Sequence, residues 1–90
     1  MTNVVFKKKA IASLEKLAKR CDKKAMDPQY EIGNLNTIKM YCDDARDYRL
    51  VVSFIKCENY KKAAKIIHGM DTAVYEVIPG YIYNFLDNYM

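Results

Sequence analysis

Chain breakers are scarce in this sequence: three glycines (Gly33, Gly69, Gly80) and two prolines (Pro28, Pro79) punctuate ninety residues. Such scarcity excludes a fold of many short strands joined by tight turns and favours long helices. The glycines also stand far apart, which excludes a glycine-rich loop that could cradle phosphates. Tryptophan is absent and histidine occurs once, at His68. No apolar run approaches the ~18 residues needed to span a bilayer.

Cysteine is sparse and odd in number. Cys21, Cys42 and Cys57 cannot form a fully paired disulfide framework within one chain, and their spacing matches neither a Cys-x-x-Cys pair nor a zinc pattern. Their apolar neighbours predict buried free thiols in a reducing compartment. The N-terminal segment carries Lys7, Lys8 and Lys9 after its short apolar stretch, the reverse order of a secretory signal. Position 2 is not glycine and the final residues Asp-Asn-Tyr-Met hold no prenylation cysteine, so the expected location is cytoplasmic, without membrane attachment.

What is present is a globular composition, 51% hydrophobic and 29% charged, over a length that suits one helical domain spanning residues 1–90. Residues 3–25 read as an amphipathic helix capped by Thr2 or Asn3. Its apolar stripe is Val4, Ile11, Leu14, Ala18, Cys21 and Ala25, widened by Ala10 and Leu17. Asp27-Pro28 ends it, because a proline disfavours helical geometry in the residue before it. A loop from Met26 to Leu35 follows, anchored by Tyr30 and Ile32.

A second helix is predicted from Asn36 to about Lys56, with Ile38, Tyr41, Ala45, Tyr48, Val52 and Ile55 inward and Cys42 and Val51 thickening that face. Glu58-Asn59 marks a break and a fresh cap. Tyr60, Ala63, Ala64, Ile67 and Met70 then line a third helix that ends at His68-Gly69. Residues 71–90 admit two readings: a helix to Val77 with a second from Pro79 to Tyr89, or a hairpin about Pro79-Gly80. Both bury Val74, Val77, Ile78, Ile82, Phe85 and Leu86. The expected architecture is an all-α bundle of three to five helices, the alternative being an α+β fold with a C-terminal β-hairpin.

Charge is distributed unevenly. Residues 1–25 hold eight basic against two acidic residues, a local balance of +6, whereas the remainder sums to −2. At about 100° per residue, Lys9, Lys16, Arg20 and Lys23 fall within about 60° of each other, opposite the apolar stripe and flanked by Lys8 and Lys19. Such a ridge suits a phosphate backbone, an acidic protein surface or anionic headgroups; it equally suits a solubilising outer face. A helix-turn-helix is excluded by the ten-residue loop before the second helix.

No catalytic constellation emerges. Asp43, Asp44 and Asp47 share a helix with Arg46 and Arg49, which compete for their oxygens, so the sequence implies neither metal nor other cofactor. His68 suits a helix C-terminus better than an acid–base role, and no neighbouring feature activates a thiol. Eight tyrosines remain conspicuous. Tyr81, Tyr83, Phe85 and Tyr89 crowd one terminal segment and form the candidate partner-binding patch, with base stacking as a competing use. The functional expectation is a non-catalytic protein-interaction module, an accessory or inhibitor protein that binds a partner protein or itself as a homodimer. The alternative is a sequence-independent nucleic-acid-binding protein acting through the basic face of the first helix.

Overall fold

The computed structural model describes residues 2–27, 35–70 and 78–90. Four α-helices account for most of them: α1 (Asn3–Ala25), α2 (Leu35–Lys56), α3 (Tyr60–Gly69) and α4 (Gly80–Leu86), with a 3-10 turn at Asp87–Tyr89. No strand occurs among the described residues, so the chain is an all-α bundle. The hairpin reading fails because Tyr81–Leu86, its return strand, is helical. The other half of that reading, over residues 72–77, lies outside the described residues, as do Tyr30 and Ile32.

The ends of α1, the stop of α2 and the start of α3 have local causes. Thr2 is extended, and its hydroxyl accepts from the Val5 amide at 3.3 Å, which makes it the N-cap of α1. Lys23 and Lys24 occupy the last turn, where cations oppose the negative end of the helix dipole. The stop of α2 is a Schellman motif: the Glu58 amide donates to Ile55 O at 3.0 Å and the Asn59 amide to Phe54 O at 2.8 Å. Glu58 sits at φ 60° in this turn, a left-handed position usually given to glycine. Asn59 then caps α3 by accepting from the Lys62 amide at 3.4 Å.

One core joins all four helices. Leu14, Leu17, Ala18 and Cys21 of α1 meet Tyr41, Ala45, Tyr48, Val51, Val52 and Ile55 of α2. Ala63, Ala64 and Ile67 of α3, then Ile78, Ile82 and Leu86, complete it. α1 and α3 each pack on α2, and the small residues Ala10, Ala18, Ala63 and Ala64 are among those they bury. Phe6 is wholly buried whereas Val4 is 78% exposed, which corrects the expected stripe. Residues 4 and 6 point about 200° apart on a helix, so burying the Phe6 ring turns Val4 outward.

Two further expectations need correction. Cys21 is buried, but Cys42 and Cys57 are exposed. Cys42 lies about 120° around α2 from Tyr48, beyond the packed stripe, and Cys57 falls in the turn after the helix. Arg49 does not compete with Arg46 for the acids of α2. Arg46 pairs with Asp43 at 3.8 Å and Asp47 at 3.7 Å, while Arg49 reaches across to Asp22 on α1.

Candidate functional site

The cationic face of α1 begins as a helix geometry problem. Turning Phe6, Ala10, Leu14, Leu17 and Cys21 inward obliges the opposite side to face water. That side carries Lys9, Lys16, Arg20 and Lys23, all exposed, with exposed Lys8 and Lys19 beside them. From Lys9 to Lys23 the ridge extends about 21 Å at 1.5 Å per residue. The structure thus brings together all four residues that the sequence pattern had grouped.

The acidic residues of α1 are drawn to one edge. Glu15 meets Lys56 of α2 at 3.6 Å. Asp22 accepts a two-pronged contact from the Arg49 guanidinium, one arm of which measures 3.3 Å from Nη1 to Oδ1. That contact, chiefly its hydrogen bonds, holds the Asp22 carboxyl below its usual range and raises Arg49. Both carboxylates in α1 are therefore matched to cations of α2. A cleft of about 400 Å³ runs along this edge between Glu15, Lys19, Arg49 and Lys56, with Glu15, Arg49 and Lys56 engaged in those pairs.

The C-terminal aromatics pack on the buried side of α1 around Phe6, and Tyr81 reaches Lys9 at the N-terminal end of the ridge. Phe85 stacks on Phe6 with ring centroids 3.7 Å apart and planes inclined by 9°. Tyr60 meets both rings edge-on, at 6.0 Å from Phe6 and 5.4 Å from Phe85. Tyr81 shares a 2.8 Å hydrogen bond with the Ser13 hydroxyl and lies edge-on to Phe6. Lys9 Nζ stands 5.3 Å from the centre of the Tyr81 ring, so a cation–π contact joins the ridge to α4. Tyr83 lies beside His68, and Tyr89 leans on Tyr60 and Phe85 while remaining 37% exposed. Of the four residues proposed for partner binding, three thus spend much of their surface closing the bundle.

Other residues enter the picture only through tertiary structure. His68 Nε2 lies 2.7 Å from Asp87 Oδ1 and so ties the end of α3 to the 3-10 turn. Burial pushes the Tyr60 hydroxyl up, helped by the charge of Glu58, and that hydroxyl has no hydrogen-bond partner among the described residues. Tyr81, Asn84, Phe85 and Asn88 line a notch of about 320 Å³ on the outer face of α4. The spacing of these four residues at three- and four-residue steps was visible in the sequence, but it has meaning only once the segment is known to be helical.

Among the described residues no group of three or more His, Cys, Asp or Glu side chains is placed to hold a metal ion. No helix among them is long and apolar enough to cross a membrane. No family model matches the chain, and no characterised protein or solved structure matches it either.

Proposed function

We propose that this protein is a non-catalytic binding module whose working surface is the cationic face of α1, and that its ligand is a nucleic-acid backbone contacted without regard to base sequence. The carrying observation is the alignment of exposed Lys9, Lys16, Arg20 and Lys23 along one face of α1. Lysine ammonium groups on flexible stems suit phosphates as point charges, whereas base reading favours planar, bidentate groups.

The test is fluorescence anisotropy with a labelled 20-nucleotide strand at 50 and 200 mM salt. Four phosphate contacts on a single strand give a log–log salt slope near −2.8, so affinity should fall about fiftyfold across this range. The combined Lys9→Glu, Lys16→Glu and Lys23→Glu variant should bind negligibly while keeping its helical spectrum, because these side chains lie outside the core. Lack of binding at 50 mM salt overturns the reading. Equal competition by polyglutamate would reassign the ridge to an acidic protein surface.

A second reading, a contact patch for another protein or a second copy, draws on the exposed apolar residues Tyr89 and Met90, the latter 74% exposed, at the chain's C-terminal end. Light scattering tests it. A monomeric mass for both wild type and Tyr89→Ser would exclude self-association and leave only a heterologous partner for that patch.

A further inference from the structure

The notch on α4 adjoins the ridge, and its lining differs in kind from a solvated helix face. Tyr81 and Phe85 supply half-buried aromatic walls, while Asn84 and Asn88 supply exposed amides above them. Asn88 Nδ2 donates to Phe85 O at 3.1 Å, which orients the side chain and leaves its carbonyl oxygen to accept from elsewhere. An amide presents donor and acceptor together, the complement of any nucleobase edge. Lys9, the first cation of the ridge, stands over the Tyr81 ring. A phosphate held at Lys9 therefore places its nucleotide beside the notch. The volume of about 320 Å³ falls at the lower end of pockets that hold small ligands, roughly 300–1,000 Å³.

We propose that the pocket of Tyr81, Asn84, Phe85 and Asn88 receives one unstacked nucleobase of a strand whose phosphates lie on the α1 ridge. The protein is then a single-strand binder in preference to a duplex binder. This inference rests on the backbone-binding reading above and adds the substrate class to it. In a duplex the bases are stacked and paired, so none can enter the notch without the cost of flipping out. A single strand carries no such cost, and base–aromatic contact tolerates any sequence.

Four ligands of equal length decide the matter at 100 mM salt: single-stranded DNA, the same sequence as RNA, an abasic DNA strand, and duplex DNA. Both base-bearing strands should bind about five- to tenfold more tightly than the abasic strand, a modest share of what one stacked base contributes. The Asn84→Ala and Asn88→Ala double variant, changed only at exposed side chains, should lose most of that advantage yet bind abasic DNA as the wild type does. Photocrosslinking from a 4-thiouracil strand should map to Tyr81 or Phe85. A preference for RNA over DNA would assign the source of the base without altering the pocket. Equal affinity for abasic and base-bearing strands overturns the pocket and leaves the ridge standing. Binding to none of the four overturns both.

Discussion

Replacing Phe6 with alanine should remove much of the stability of this protein, whereas the same change at Val4, two residues earlier, should be close to neutral. Phe6 is fully buried, stacked on Phe85 and edge-on to Tyr60 and Tyr81; Val4 is 78% exposed. Deleting a buried phenyl ring costs about 3–5 kcal/mol through lost transfer energy and the cavity left behind. Ninety residues at roughly 0.05–0.15 kcal/mol each give a total of about 4–14 kcal/mol, so the loss is a large fraction of the whole. The melting temperature should fall by upwards of about 12 °C, since one kcal/mol is worth roughly 4–8 °C at this size. An exposed Val→Ala change in a helix stays within about 0.5 kcal/mol. Urea unfolding followed by circular dichroism measures both. A double-mutant cycle with Phe6→Leu and Phe85→Leu should show about 0.5–1.5 kcal/mol of coupling for the stacked pair. Equal losses for Val4→Ala and Phe6→Ala would refute the orientation of α1, and with it the outward direction of the basic ridge.

Glu58→Gly should stabilise the protein by about 0.5–1 kcal/mol, because it relieves a left-handed backbone that costs an L-residue about 1–2 kcal/mol. Glu58→Ala keeps the side-chain clash and should give no such gain in thermal melting; an equal gain would mean that charge, not conformation, is responsible. The Asp22 carboxyl is held below its usual range in the folded state, so its contribution is present above the unfolded value near 3.9 and is lost as pH falls through the folded value. The pair is about half exposed, which limits it to about 1 kcal/mol or less. Urea midpoints of wild type and Asp22→Asn should accordingly differ at pH 5 and converge as pH falls through the folded value, and a constant gap would contradict the linkage. Thiol titration should find Cys42 and Cys57 reacting at once and Cys21 only on unfolding; three fast thiols would contradict the burial of Cys21.

Helix periodicity alone determined a good deal. The three- and four-residue spacing of Tyr41, Ala45, Tyr48, Val52 and Ile55 defined both the existence and the buried face of α2. Asn59 announced α3, and the cations of α1 were already one ridge because a helix of known pitch leaves no other arrangement. Such signals are local, and local geometry is common to every helix.

Tertiary structure decided the rest. Val4 and Phe6 both lie at the edge of a plausible stripe, and the choice between them depended on the rings of Tyr60 and Phe85, which arrive from distant parts of the chain. Whether Tyr81 would share a face with Tyr83, as on a strand, or with Asn84, as on a helix, was open until the segment folded as α4. The partners of Asp22, Glu15 and His68 were likewise fixed only by packing. An aromatic ring or carboxylate has many neighbours it could satisfy, and only the folded chain selects which one comes within reach.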